Sequence, residues 1–388
     1  MSAAAASDRV RLAVIGLGGI SQSVHLPLIR RNADRVELTA VVDLSPSRAE
    51  SMARAAGTGV AAFASVDELL AAVAAGDVAV DGAILATSGS HAPDAGRLIA
   101  SGIRVLAEKP LAFTLEEVDA LRVIAEERGV DLADWLRVGY MKEHDPATAE
   151  ALRLLADADL RYVTVEVLHP ADGAQLAFAN LAPAPDDVPA DVLAGLVAET
   201  DATVASVIGQ APAPLPKLYT NVVLGSIVHD ISLLRHLVGG IGEVDRALHW
   251  GGFPGSLSLG GRLAQQPDVP WAIDWHFIPE YPEYRETVTF HHATGTISLR
   301  FAVPYVLNAP TVLTVVDGVG TLGARSAESR WMQEEAFENE LRAFASLVAD
   351  DPQPGPSAEA SAQDIAVGQR MIRAIAESFG SRVDRDRA

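Results

Sequence analysis

The stretch "RLAVIGLGGISQSVHLPLI", Arg11 to Ile29, decides how the chain folds. Its first residues, Arg11 to Ile15, read as an apolar strand, a glycine-rich turn follows, and Ser21 to Arg31 carries a helical pattern. Between strand and helix stands Gly16-x-Gly18-x-x-Ser21. A tight turn needs Gly16, close approach of another group to the backbone needs Gly18, and the helix start offers unpaired N–H groups to an anion. Ser21 takes the place of a third small Gly or Ala, which crowds helix against strand only modestly.

Further along, Glu37 to Val42, Gly82 to Ala86 and Arg104 to Ala107 repeat the strand signal, and Pro46 to Ala56, Val66 to Ala75 and His91 to Ser101 repeat the helical one. That alternation predicts a Rossmann-type doubly wound parallel sheet. A further helix, Leu115 to Arg128, starts after Thr114, which has Glu117 at capping-box spacing. Asp43 closes the second strand about 20 residues beyond the turn, where a carboxylate holds a ribose 2′-hydroxyl and repels a 2′-phosphate. The loop Gly16, Gly18, Gly19 and Ile20, together with Asp43, therefore predicts an NAD site, while Ser45, Ser47 and Arg48 just downstream keep NADP open.

After about Val138 the pattern changes to "LRYVTVEVLHP", "EVDRALHWGGF", "WAIDWHFIP", "YRETVTFHHATGTISLRF" and "PTVLTVVDG", alternating or β-branched runs at hairpin-like spacing. Residues 139–388 are expected to form an α+β domain with a large, mainly antiparallel sheet, beside a dinucleotide-binding domain over 1–138. Within the second part, Ala171 to Leu215 is rich in Ala, Pro and Asp, bracketed by "NLAPAPDDVPADV" and "GQAPAPLPK". It reads as an inserted excursion: a lid, an oligomer contact or a plain surface insertion. "DDPQPGPSAEAS" reads as a loop before a last helix, Ala358 to Ser378.

The 388 residues carry a formal net charge of -21 and no cysteine. Nucleic acid is a poor partner for such a chain, because phosphate binding needs clustered Lys and Arg. Thiol nucleophiles, disulfides and Cys-ligated zinc are excluded, and no metal is expected. Because no uncharged apolar run reaches roughly 18 residues, no membrane span is expected. The start "MSAAAASDRVRLAVIGLG" lacks a basic, apolar signal pattern, so a cytoplasmic location is expected.

"GLGGISQSVHLPLI", "VVDLSPSRA", "TSGSHAPDAGRLIASGIRVLAEKPLAFTLEEVDAL" and "VGYMKEHDPA" together resemble the Gfo/Idh/MocA oxidoreductases. "LGSIVHDISLLRHLVG" and "FENELRAFASLVADDPQP" extend the likeness into the second half. The resemblance implies that Lys109 of the Glu108-Lys109-Pro110 signature meets substrate hydroxyl and nicotinamide, that Glu108 orients it, and that Pro110 fixes the turn. A lysine at the carboxyl end of a parallel strand is also placed, on physical grounds, to polarise a substrate oxygen, and a tight turn at Pro110 favours a cis peptide. The resemblance further implies an Asp and, four residues later, a His as partners of the lysine. Here His229 matches the His, but Gly225 stands where the Asp is expected.

On an expected helix from about Leu224 to Val238, His229, Ser232 and His236 share the face opposite the apolar stripe. Asp230 points about 100° away from His229 and cannot simply replace the missing carboxylate. Strand alternation would put Tyr140, Lys142 and His144 on one face of the segment crossing between domains, as substrate contacts. Thr87, Ser88 and His91 are candidates beside the cofactor, while His169 and Trp275, with Trp271 and His276 nearby, are candidates to floor a sugar site.

The resulting expectation is NAD-dependent oxidation or reduction at a secondary alcohol of a sugar, polyol or sugar derivative, with Lys109 and His229 handling the proton. An NAD-dependent glycoside hydrolase working through transient C3 oxidation is the alternative, and a non-catalytic dinucleotide-binding protein is the third. A homo-oligomer, dimer or tetramer, through the C-terminal sheet is expected.

Overall fold

The computed structural model describes residues 9–379 except 172, 174, 175, 210 and 320–322, so part of the N-terminal signal reading and isolated positions of the excursion lie outside the described residues. Strands β1 (Val10–Ile15), β2 (Val36–Val42), β3 (Ala61–Phe63), β4 (Gly82–Leu85), β5 (Arg104–Glu108) and β6 (Leu136–Gly139) form an all-parallel sheet in the order β3-β2-β1-β4-β5-β6. Between them run α1 (Leu26–Arg31), α2 (Pro46–Ala56), α3 (Val66–Ala75), α4 (Ala92–Ala100) and α5 (Leu115–Arg128). Thr114 and Glu117 close a reciprocal capping box at the start of α5.

The remaining elements are α6 (Pro146–Leu155), β7 (Leu160–His169), α7 (Ala190–Ile208), a single turn α8 (Leu215–Lys217) leading into a π-helical stretch Leu218–Ile227, and α9 (Val228–Val238). Strands β8 (Ile241–Trp250), β9 (Ser256–Leu263), β10 (Pro270–Phe277), β11 (Arg285–His292), β12 (Gly295–Phe301), β13 (Val312–Val319) and β14 (Gly323–Ser329) follow, then α10 (Ala336–Val348) and α11 (Ala358–Ser378). With β7 they build a second sheet in the order β14-β13-β12-β11-β7-β10-β9-β8, antiparallel except for β7 beside β10.

Both faces of the first sheet are covered, which is why its strands read as near-continuous apolar runs. Ala13, Ile15, Ala83, Leu85 and Val105 point to α3, α4 and α5, whereas Leu12, Val14 and Ile84 meet Phe337, Leu341 and Phe344 of α10. The second sheet buries one face only. Val163, Val165, Val167, Ile273, Trp275 and Val288 are inside, while the alternate residues Thr164, Glu166, Asp274 and Thr287 are half-buried or exposed. Helix α11 contacts α5 and β6 on one side and α9 and β8 on the other, so it ties the two sheets together. The carboxyl ends of β5 and β6 thereby face the π-helical stretch.

Candidate active site

Gly16 has φ +86°, and a Cβ there would stand 2.6 Å from Ala86 O, so only glycine lets β1 turn against the end of β4. Gly18 is the opposite case, with no described atom within 4 Å of where its Cβ would lie. The backbone at Gly18 thus faces room, which fits the close approach of a pyrophosphate. Ser21, fully buried, hydrogen-bonds through Oγ to Gly16 O at 2.5 Å and so fastens the loop rather than merely crowding it. Asp43 Oδ2 accepts from Leu17 N at 2.9 Å, which sets its carboxylate beside the same loop. The residues present therefore fit a dinucleotide: Gly16, Gly18, Gly19 and Ile20 at its phosphates and Asp43 at its ribose.

Past β4, Ala86 and the backbone N of Thr87 lie against Gly16, and Ser88 follows in the chain. His91 departs from its expected role, because both ring nitrogens are engaged with backbone carbonyls, Nδ1 with Pro110 O at 2.7 Å and Nε2 with Thr87 O at 3.0 Å. It is buried, and burial lowers its pKa. His91 thus lies between the β4 turn and the β5 turn, and its neutral ring donates to one of the two carbonyls.

Lys109 stands at the end of β5, and its peptide to Pro110 is cis. Its Nζ donates to Gly225 O at 2.7 Å. Burial lowers the amine's pKa, the Glu108 charge opposes that fall, and Lys142 adds to it. Glu108 does not hold the lysine by a hydrogen bond among the described residues; its Oε1 lies 2.9 Å from His25 Nε2 instead. Burial pushes Glu108 up, but the His25 hydrogen bond and the charges of His25 and Lys109 outweigh it and keep the carboxyl below its ordinary value. His25, a partner that periodicity does not single out, lies in "SVHLP" at the turn into α1.

In the π-helical stretch a Cβ at Gly225 would stand 3.0 Å from Thr220 O, a tight contact, and the position offers Lys109 only its backbone carbonyl. His229 follows in the first turn of α9, and its Nδ1 is buried without a hydrogen-bond partner among the described residues. Burial, then Lys109 and Lys142, lower its pKa well below the ordinary value. Its neighbours on the expected polar face part company, for Ser232 is buried and bonds His229 O, while His236 lies 3.4 Å from Glu143.

The strand alternation expected for Tyr140, Lys142 and His144 is not formed, because the chain leaves β6 and turns at once into a 3-10 helix, Met141–His144. Three side chains that a strand would align are spread apart. Tyr140 is buried in the core, its hydroxyl donating to Ser361 Oγ at 3.3 Å. His144 turns to a separate cavity of about 440 Å³ with Glu143, Asp145, Trp331 and Asn339, where burial lowers its pKa to about 4. Only Lys142 enters the site, paired with Glu286 and 3.7 Å from Asp230 Oδ1.

Asp230 and Glu286 are the candidate site residues that sequence reasoning set aside or missed. Register brings Glu286 in, since it and Trp275 both pair with Val167 and so lie on the buried face of the second sheet. Burial and the facing Glu286 raise Asp230 well above the carboxylate range, whereas Lys142 and other partners overcome burial to hold Glu286 below it. Tyr284 donates to Glu286 Oε2 at 2.7 Å, and its ring meets His169, which in turn lies against Trp275 at 5.5 Å. Trp275 Nε1 donates to Ser226 Oγ at 2.9 Å, next to the Gly225 that receives Lys109. His169 and Trp275 thus form an aromatic corner linked through Ser226 and Tyr284 to the residues that hold both lysines; Trp271, beyond Ile273 on the same buried face, donates its Nε1 to the carbonyls of Glu243 and Arg262.

No helix among the described residues is long and apolar enough to cross a membrane. Residues 10–133 match the sequence profile of the Gfo/Idh/MocA oxidoreductase family, NAD-binding Rossmann fold. An inositol 2-dehydrogenase from Leifsonia xyli subsp. xyli is 31% identical over 148 residues, 37% of this chain and 41% of that protein. A UDP-N-acetylglucosamine 3-dehydrogenase from Acidithiobacillus ferrooxidans is 33% identical over 161 residues, 42% of this chain and 46% of that protein. These matches span less than half the length of the curated relatives. The solved structure of the latter enzyme superposes with a TM-score of 0.66 at 21% identity, over 96% of this chain and 99% of that one. A 3-ketoreductase from Actinomadura kijaniata, in complex with NADP and TDP-benzene, superposes with a TM-score of 0.67 at 19% identity, over 96% and 98%. The fold is thus shared over nearly the whole chain, and residues 10–133 match the NAD-binding Rossmann domain of the Gfo/Idh/MocA oxidoreductases.

Proposed function

We propose that the protein is an NAD-dependent oxidoreductase acting on a secondary alcohol, or the matching ketone, of a sugar, polyol or sugar derivative. The observation that carries this reading is Lys109: a half-buried amine at the carboxyl end of a parallel strand, beside a loop shaped for a dinucleotide and beside His229, whose Nδ1 has no hydrogen-bond partner among the described residues. Bound at that loop, the nicotinamide supplies a two-electron hydride acceptor or donor.

The protein's own part is to hold the alcohol and take its proton. Burial enlarges the neutral share of Lys109. One N–H of the neutral amine stays on Gly225 O, which fixes its direction and leaves the nitrogen lone pair for a substrate hydroxyl. His229, its pKa lowered by burial and further by the two lysines, offers Nδ1 as a second polar contact for the same oxygen. The aromatic corner of His169, Trp275 and Tyr284 gives an apolar wall for sugar C–H bonds, with Lys142 and Glu286 at its polar end. The outer, half-buried face of the second sheet is the surface we assign to association between copies, which sedimentation tests.

The test is stoichiometry across a panel of sugars, polyols and glycosides with NAD. Net NADH with a keto product supports the dehydrogenase. Aglycone release without net NADH supports the hydrolase, and tight NAD binding without turnover on any compound supports a non-catalytic role.

A further inference from the structure

The excursion between β7 and α8 lies over the dinucleotide loop. Ala182 N donates to Gln22 Oε1 at 2.8 Å, Leu181 reaches within 3.5 Å of a Cβ placed on Gly19, and Thr200 of α7 approaches Gly89. At one end of this cover, Asp187 stands on an exposed turn, yet both its carboxylate oxygens are engaged. Ser45 Oγ donates to Oδ1 at 2.5 Å, and Ser47 N donates to Oδ2 at 3.0 Å. The two serine contacts, the Ser45 hydroxyl foremost, hold this exposed carboxyl down to about 2. Arg48 is drawn to the same segment, its Nη2 donating to Pro183 O at 3.1 Å.

A hydroxyl, an N–H in the first turn of α2 and a guanidinium make a donor set for an anion. It adjoins Asp43, whose Oδ1 accepts from Ser45 N at 2.9 Å. A ribose held by Asp43 turns its 2′ position toward these donors, and an arginine there is the usual host of a 2′-phosphate. The chain has filled that host with a carboxylate of its own.

We propose that Asp187 is a specificity-determining residue, an internal anion that occupies the 2′-phosphate pocket of Ser45, Ser47 and Arg48 and so excludes NADP in favour of NAD. The proposal rests on the dehydrogenase reading above. A free 2′-hydroxyl leaves the Asp187 contacts in place. A 2′-phosphate meets a like charge on the same donors and must break them, loosening the cover that Ala182 and Leu181 fasten to the loop.

The test is equilibrium binding of NAD and of NADP to the full chain by titration calorimetry, for the wild type, Asp187→Ala, Asp187→Asn and Asp187→Ala combined with Arg48→Ala. Asp187→Ala is expected to raise the ratio of NADP to NAD affinity about tenfold or more, the scale of one like-charge contact removed. Asp187→Asn, which keeps the shape and loses the charge, raises it in the same direction. Adding Arg48→Ala removes the gain, because the cation that would meet the phosphate is gone. Hydrogen exchange at Ala182 should quicken on NADP binding to the wild type and not on NAD binding. A wild type that binds NAD, with an affinity ratio unmoved in Asp187→Ala, overturns the assignment of Asp187 alone. A wild type that binds neither dinucleotide overturns the dehydrogenase reading and this proposal with it.

Discussion

Lys142→Met tests the buried end of the site. The side chains of Lys142, Asp230 and Glu286 are 4%, 2% and 3% exposed. Burial and the facing Glu286 raise Asp230 well above its ordinary value, while Lys142 pairs with Glu286 as cation with anion. Methionine fills the lysine stem's volume and opens no large cavity, so the change removes charge alone. Glu286 then loses its cation in the core and keeps the Tyr284 hydroxyl and Asp230 as hydrogen-bond partners, a situation that costs about 3–5 kcal/mol, against about 0–1 for an exposed pair. At about 2–4 °C per kcal/mol, melting should fall by roughly 6–20 °C at pH 7. The sign with pH follows from Glu286. Its folded value lies below the ordinary 4.5, so the stability it contributes is present above 4.5 and is lost as pH falls through the folded value. In the variant that contribution is already gone, and the gap to wild type should close in acid. Lys142→Met with Glu286→Gln removes the stranded charge and should recover most of the loss in a double-mutant cycle. A loss under about 1 kcal/mol, or a gap indifferent to pH, would refute the buried charge balance.

Lys109→Ala should lower kcat by about 10²–10⁴ while calorimetry still detects NAD binding; near-normal turnover removes the lysine from the chemistry. The kcat/KM profile for oxidation should rise with pH through the Lys109 ionisation at a midpoint below 10.5, because only the neutral amine accepts a proton. Glu108→Gln takes away the charge that opposes the fall and should move that limb to lower pH; a limb that stays in place assigns it to another group. Gly16→Ala places a Cβ 2.6 Å from Ala86 O at φ +86° and should cost about 3 kcal/mol or more in a denaturant melt, whereas Gly18→Ala, facing open space, should leave the melt alone and weaken NAD binding.

The first sheet was legible because each of its devices is local. Strand, Gly16 turn and helix are contiguous, Thr114 caps α5 three residues from Glu117, and burial on both faces makes the strands apolar throughout. The site was legible only where one element end decides it, as at Lys109. Where it depends on register between distant strands, nothing local marks it. Glu286 reads as one more polar residue in "YRETVTF", and only its pairing with Val167 turns it inward beside Lys142. Periodicity also failed wherever the helix type changed. A period of 2 carried past Gly139 aligned Tyr140 with His144, although the chain had already become a 3-10 helix. A period of 3.6 run back to Leu224 ignored the π-helical turn that ends at Ile227.

That turn bears on the missing carboxylate. Gly225 presents its backbone carbonyl to Lys109, and a Cβ there would stand 3.0 Å from Thr220 O across the π turn. A carbonyl can orient an amine but cannot accept its proton, so the relay from Lys109 cannot end at residue 225. His229, whose Nδ1 has no hydrogen-bond partner among the described residues, is the group we assign to receive that proton, and beyond it lie Asp230 and Glu286 with Lys142. Gly225→Asp would therefore not restore the relay expected from the family pattern: its Cβ would stand 3.0 Å from Thr220 O, and its carboxylate would pull Lys109 off the carbonyl and raise the amine's pKa. Less neutral lysine at pH 7 means slower oxidation, so kcat should fall in Gly225→Asp, and a rise in kcat would place the proton route elsewhere.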